Sequence, residues 1–303
     1  MRICVFGAGS LGSALGGLLA VRNNVVLIGR KPHISAVRKN GLMISGDTAR
    51  TVFVDGQETA NDLVPPELLI IATKAYDTAE AIQSCRRLVD NDTMVLTLQN
   101  GLGNLELLRN WRRENAFGGT TTLGATLVSP GVLRVSGLGK TVIGADIDPE
   151  GAGRIVSEFK SCGLPTRAVK HVFPAIWGKA VVNACINPTA AILRVPNGRL
   201  VESKAISRFM REVCAECELV AKASGINLSE VPMYSRVRSV CKDTAENVSS
   251  MLQDVRLGRR TEIDHINGAF SLYGDKSDIP TPLNDALVAI VHSICQYSQS
   301  EKG

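Results

Sequence analysis

Three groups of residues in this 303-residue chain have types and spacings suited to chemistry. The first is Gly7-Ala8-Gly9-Ser10-Leu11-Gly12. It follows the apolar run RICVF and precedes the small-residue run SALGGLLAV, so a strand enters a turn and a helix leaves it. In that setting the G-x-G-x-x-G spacing is that of a dinucleotide site. Gly7 permits the tight turn, Gly9 lets backbone approach a pyrophosphate, and Gly12 lets the helix lie close to the strand. The pyrophosphate would sit on the helix N-terminus, where outward N–H groups and the helix dipole favour negative charge. A glycine-rich turn without a ligand is the bland alternative.

The second group closes the neighbouring strands. NVVLIG ends at Arg30, with Lys31 beside it, and no acid occurs before Asp47. An Asp or Glu at this point binds a ribose 2′-OH, whereas an Arg accommodates a 2′-phosphate, and its planar fork suits bidentate phosphate contact. Arg30 therefore predicts NADP(H) rather than NAD(H), unless both cations are simply solvated. Lys74 closes ELLIIATK and Asn100 closes TMVLTLQN. Ligands of open α/β sheets bind beyond the carboxyl ends of the strands. Lys74 is then directed at the adenosine phosphate and Asn100 at the nicotinamide ribose or a substrate. A solvated Lys and a turn-forming Asn-Gly are the alternatives.

The third group is Trp177-Gly-Lys179-Ala-Val-Val-Asn183-Ala-Cys-Ile-Asn187-Pro188. At about 100° per residue, Lys179, Asn183 and Asn187 form one polar row on an otherwise apolar helix. Buried polar groups need partners, in an interhelical network or a site. Pro188 disturbs the helix near Asn187 and frees backbone groups as well. Further on, Ser250 and Gln253 fit a capping box. Glu262 follows a plausible Thr261 cap, where it would complement the helix dipole, or would face Lys179 across a cleft.

These residues require elements to hold them. Strands and helices alternate up to about Ala168, with a hairpin over Leu42 to Asp55 around Gly46-Asp47 and several strands over residues 116–146. That pattern predicts a doubly wound α/β domain over 1–168. Helical stretches then dominate (Ile176 to Cys185, Ser203 to Ser224, Asn284 to Tyr297), predicting an all-helical domain over 169–303 that ends in a frayed tail, 298–303. Ile3 to Val21 carries no charge over 19 residues but contains five Gly and two Ser, so no membrane segment and no secretion are expected. Apolar residues at 45% and charged residues at 21% are ordinary globular composition. The net charge of +5 is concentrated: residues 1–46 carry six Lys/Arg and no acid. Basic residues lack interleaved aromatics, which are 4% of the chain, so a nucleic-acid module is the least favoured reading. Eight irregularly spaced Cys read as reduced thiols in a cytoplasm.

The motifs GAGSLG, Arg30, TKAYDT, LQNGLG, WGKAVVNACINPTA, VPNG, ENVSSMLQD and TEIDHING occur in that order along the whole chain. Together they resemble the ketopantoate reductase (2-dehydropantoate 2-reductase) family. The resemblance implies an N-terminal Rossmann-type domain binding NADP(H) and a helical substrate domain. It implies NADPH-dependent reduction of 2-dehydropantoate to (R)-pantoate, toward pantothenate and coenzyme A. Lys179 matches the family's catalytic lysine and Glu262 its acid. Asn183, Asn187 and Ser250 match substrate-binding positions, and Asn197 and Asn247 further substrate-shell positions. Arg30 and Lys74 match cofactor-phosphate contacts, and Asn100 the Asn of the family's NG turn.

No metal is expected, because Cys214 and Cys217 form a lone C-x-x-C and read as core residues. Cys85, flanked by Arg86 and Arg87, is a candidate for a lowered pKa and for a mixed disulfide with coenzyme A as feedback ligand; a helix-packing Cys is the alternative. A homodimer is a further expectation. Two other functions compete with the reductase: a related dehydrogenase of another 2-keto or 3-hydroxy acid, and an NADP-sensing protein without catalysis.

Overall fold

The computed structural model describes residues 1–46, 49–228 and 231–300. The chain divides into two compact units, Met1–Gln99 with Asn104–Val172, and Asn100–Gly103 with Phe173–Gly303. The first contains, in order, β1 (Arg2–Phe6), α1 (Ser10–Leu19), β2 (Asn24–Ile28), α2 (Lys31–Asn40), β3 (Leu42–Gly46), β4 (Arg50–Val52), β5 (Asp55–Gln57), β6 (Leu68–Ile71), α3 (Thr78–Cys85), β7 (Met94–Thr97), α4 (Asn104–Trp111), β8 (Ala116–Thr121), β9 (Gly124–Ser129), β10 (Val132–Gly137), β11 (Thr141–Gly144), α5 (Pro149–Ser161) and β12 (Thr166–Val169).

Eight of these strands form one sheet in the order β12-β11-β8-β7-β6-β1-β2-β5. All its pairings are parallel except β8 with β11. Alternate residues of the central strands enter different cores. Ile3, Val5, Leu68, Ile70, Met94 and Leu96 pack with α1 and α5, whereas Cys4, Leu69, Ile71 and Val95 pack with α3 and α4. Both faces are covered, which is why these strands read as unbroken apolar runs.

The several strands expected over 116–146 separate into two sheets. β8 and β11 join the large sheet, while β9 and β10 form a four-stranded sheet with the expected hairpin, in the order β4-β3-β10-β9. The hairpin pairs Leu42 with Val52, and its Asp47 lies outside the described residues. The expected boundary after Ala168 falls inside β12. The division comes at Val172, because Val169 completes a parallel pairing with Gly144.

The second unit contains α6 (Phe173–Leu193), α7 (Lys204–Ala223), α8 (Met233–Asp243), α9 (Ser250–Arg256), α10 (Ile263–Asp275) and α11 (Pro282–Ser300). No strand occurs among its described residues. α6 is the central helix and contacts each of the other five. It is apolar on nearly every side because it is buried on nearly every side. Trp177 holds it to α10, edge-on to Phe270 and Tyr273, with ring centroids 5.7 and 4.9 Å away. α7 faces this core through Met210, Val213, Cys214, Cys217, Val220 and Ala221, a spacing of three and four residues. α11 carries the backbone to Ser300, so half of the expected frayed tail is helical, and 301–303 lie outside the described residues.

Candidate active site

In the first unit the carboxyl ends of parallel neighbours β2, β1, β6 and β7 lie at one edge of the sheet, and each leads into a predicted site segment. After β1, the amides of Gly7 and Ala8 donate to the Ile28 carbonyl at 2.9 and 2.8 Å. Gly7 has φ +105°, a conformation that disfavours any side chain. A Cβ on Gly12 would strike the Gly7 carbonyl oxygen, so this glycine sets how closely α1 approaches the turn. A Cβ on Gly9 would meet no protein atom within 4 Å and would extend into open space before the helix. α1 starts at Gly9 with no side-chain cap and no acid in its first turn. An uncapped N-terminus behind a glycine surface fits the pyrophosphate of a dinucleotide. Ala8 is buried and Leu11 packs against the core, so the segment presents backbone rather than side chains. The Ser10 hydroxyl accepts from the Leu127 amide at 3.0 Å, tying α1 to β9.

Arg30 is exposed directly before α2, and its carbonyl accepts from His33 and Ile34, both at 3.1 Å. His33 fixes this corner. Its Nδ1 accepts from the Gly131 amide at 3.0 Å, which leaves the proton on Nε2, 3.0 Å from the Ser13 hydroxyl. Burial holds this imidazole below its usual pKa. Lys74, half-buried, precedes a short 3-10 turn, Ala75–Asp77. Between the ends of β6 and β7 lies a buried network that local spacing did not reveal. Gln99 Nε2 donates to the Thr73 carbonyl at 2.8 Å and to Thr78 Oγ1 at 2.9 Å, while Thr97 Oγ1 donates to Gln99 Oε1 at 2.8 Å. Thr78 Oγ1 in turn donates to Asn104 at 2.8 Å.

In the second unit, Lys179 and Asn183 are half-buried and Asn187 is buried along α6. Glu262 is buried at the N-cap position of α10, preceded by a buried Thr261. It is itself the boundary residue rather than the follower of a Thr261 cap, and its side chain makes no capping hydrogen bond. Burial pushes the Lys179 ammonium down to about 8, and the Glu262 carboxylate pulls it back up. The Glu262 charge is thus near enough to act on the Lys179 ammonium. The Asn100-Gly101 turn lies on the same helix start. Leu102 donates to the His265 carbonyl at 2.9 Å, and a Cβ on Gly101, φ +87°, would run into that carbonyl.

Asn197 and Asn247 also meet. The Asn197 amide donates to the Asn247 carbonyl at 3.0 Å, and Asn197 Nδ2 donates to Thr244 Oγ1 at 2.9 Å. Asn197 is buried, whereas Asn247 and Ser250 are exposed. The cap of α9 is Ser249 rather than Ser250, because it is Ser249 Oγ that accepts from the Leu252 amide at 3.2 Å. Ser250 is instead the first helical residue.

Cys85 departs from expectation. It is fully buried against the sheet, and burial pushes its thiol up to about 12. Arg86 and Arg87 are exposed, so their charges do not offset the thiol's desolvation. A mixed disulfide with coenzyme A has no accessible thiolate here. Cys214 and Cys217 lie in the helical core. No group of three or more His, Cys, Asp or Glu among the described residues is arranged to hold a metal ion. No described helix is long and apolar enough to cross a membrane.

Residues 3–146 match the family model for ketopantoate reductase PanE/ApbA, and residues 171–295 match the model for its C-terminal part. The chain belongs to the ketopantoate reductase family. Among curated relatives in that family, a 2-dehydropantoate 2-reductase of Pyrococcus horikoshii is 39% identical, over 96% of each chain. One from Halobacterium salinarum is 36% identical, over 96% of this chain and 98% of its own. A PanE/ApbA family ketopantoate reductase from Ralstonia eutropha superposes with a TM-score of 0.91 at 30% identity, over 99% of this chain and all of that one. A D-mandelate dehydrogenase solved with NADH and anilino(oxo)acetate superposes with a TM-score of 0.93 at 28% identity and the same coverage.

Proposed function

We propose that this member of the ketopantoate reductase family reduces 2-dehydropantoate to (R)-pantoate with NADPH, a step toward pantothenate and coenzyme A. The observation that carries the reading is that Lys179, half-buried on α6, feels the charge of Glu262, buried at the head of α10. Nearly full-length matches to curated 2-dehydropantoate 2-reductases support the substrate.

NADPH, when bound, supplies the hydride. Lys179 gives its proton to the carbonyl oxygen, and its charge stabilises the developing alkoxide. Glu262 favours the charged lysine, so the donor stays loaded at neutral pH despite its burial. Asn183 and Asn187 continue the polar row and, with Ser250, contact the substrate hydroxyl and carboxylate; Asn197 and Asn247 shape the surroundings. Gly7 to Gly12 would cradle the pyrophosphate by backbone, Arg30 and Lys74 would hold the cofactor phosphates, and Asn100 would hold its nicotinamide end. A cytoplasmic location goes with this reading.

The test is NADPH oxidation with 2-dehydropantoate, run beside NADH and a panel of other 2-keto acids. Fast turnover confined to 2-dehydropantoate with NADPH supports the assignment. Preference for an aryl-substituted 2-keto acid with NADH would favour the second reading, a related 2-keto acid dehydrogenase, to which the similarity with D-mandelate dehydrogenase points. Coenzyme A added to the same assay tests feedback binding without a thiol partner, and light scattering tests the homodimer.

A further inference from the structure

Pro188 sits inside α6 and has no amide hydrogen, so the carbonyl of Ala184, four residues earlier, loses its helical donor. This orphan lies one residue after Asn183 in the row that contains Lys179. A buried carbonyl without a donor is costly, and the structure supplies one from another helix. Asn267 of α10, completely buried, donates from Nδ2 to the Ala184 carbonyl at 3.1 Å. The same nitrogen donates to Asn284 Oδ1 of α11 at 2.9 Å. Both its hydrogens are thereby used, whereas Asn267 Oδ1 is buried with no hydrogen-bond partner among the described residues.

The orientation of Asn267 is set from behind. Glu216 of α7 accepts from the Leu283 and Asn284 amides at 2.9 and 3.1 Å, and from Asn284 Nδ2 at 2.8 Å. With its nitrogen committed to Glu216, Asn284 turns its oxygen to Asn267. That oxygen obliges Asn267 to present its nitrogen, and the nitrogen reaches the carbonyl that Pro188 left open. A chain of hydrogen bonds thus runs from α7 through α11 and α10 into α6. It ties the helix bearing Lys179 and Asn183 to the helix headed by Glu262.

We infer that Asn267 is a positioning residue for the reduction: by bonding the carbonyl orphaned by Pro188, it fixes α6 against α10 and so holds Lys179 in its working relation to Glu262. The inference rests on Lys179 as proton donor. It differs from simple core packing in its specific target, the Ala184 carbonyl. Replacing Pro188 by alanine returns an amide to that carbonyl and makes the Asn267 bond dispensable.

The test uses the full-length enzyme with Asn267→Ala, Pro188→Ala, the double variant and Lys179→Ala. Misplacement of a reacting group on the scale of an ångström costs up to about a hundredfold. Asn267→Ala is therefore expected to lower kcat about tenfold to a hundredfold with the KM for NADPH within about twofold of wild type. Its kcat/KM should also decline at lower pH on the basic side, because the lysine loses its set carboxylate. Adding Pro188→Ala should restore most of the lost kcat. A folded Asn267→Ala enzyme with wild-type kcat and pH profile overturns the inference, as does a loss that Pro188→Ala leaves unrelieved. If Asn267→Ala does not fold, the double variant decides: folded and active supports the inference, unfolded or inactive overturns it. Retained activity in Lys179→Ala would instead remove the lysine as donor, a failure of the functional reading that is separate from any effect at Asn267.

Discussion

Gly12 packs against Gly7 so closely that a Cβ on Gly12 would strike the Gly7 carbonyl oxygen, whereas a Cβ on Gly9, between them, would touch no protein atom within 4 Å. One turn therefore contains a glycine the fold requires and a glycine it does not. Gly12→Ala should destabilise the first unit by roughly 1–3 kcal/mol, the usual cost of forcing extra atoms into a packed site. Gly9→Ala should lose only about 1 kcal/mol or less of stability, from the N-cap preference for Gly over Ala, and lose NADPH affinity by about tenfold or more, the cost of a lost charge-assisted contact or two. Calorimetry and cofactor titration on the two variants separate these effects. A Gly9→Ala variant destabilised as much as Gly12→Ala would contradict the open space seen before α1.

Arg30 is exposed at the end of β2 with no acid beside it in the preceding sequence. Arg30→Ala should raise the KM for NADPH about tenfold to a hundredfold, as expected for removing a charged hydrogen bond to phosphate. The KM for NADH should change little, because NADH has no 2′-phosphate. Equal losses for both cofactors would remove Arg30 as the selecting residue.

Lys179 must be protonated to donate, and its value is near 8. The rate should therefore fall as pH rises through about 8. Glu262→Gln removes the charge that raises this value, so the fall should begin at lower pH and kcat should drop at neutrality. For stability the sign is reversed. A lysine whose native value lies below the ordinary one makes the folded state less stable where it is charged, and that loss disappears as pH rises. Lys179→Met should thus raise the melting temperature at about pH 7 while abolishing turnover, the usual exchange between stability and function.

The Cys85 thiol is held up at about 12 by burial, above its ordinary value. A raised native value contributes stability while the unfolded thiol is still protonated, and that contribution is lost as the unfolded thiol ionises. Stability should decline above about pH 9, and Cys85→Ala should weaken that decline. In the native state Cys85 should resist thiol reagents that modify it promptly in urea. Rapid native labelling at Cys85 would revive the coenzyme A disulfide.

Local signals told much of this in advance. The glycine turn, the alternation of strands and helices, the apolar strands of a doubly covered sheet and the Lys179-Asn183-Asn187 row are all fixed by spacing within a few residues. Pro188 signalled that backbone groups near Asn187 would be freed from the helix. That the donor to the Ala184 carbonyl would be Asn267, oriented through Asn284 from Glu216, depended on helices separated by long stretches of chain. No short window records such a meeting. The same limit hid the second sheet, the Gln99 network and the His33 bridge from Ser13 to Gly131.

The errors have a related cause. Ser249 and Ser250 are equivalent as letters, and only the turn of the backbone into α9 decided which hydroxyl faces the Leu252 amide. Cys85 beside two arginines reads as an activated thiol, but those arginines point to water while the thiol faces the sheet. Sequence determined which groups this protein has and the periods on which they recur. Tertiary structure decided which of them lost water and which partner each then found, because desolvation and long-range hydrogen bonding are properties of packed elements rather than of neighbours along the chain.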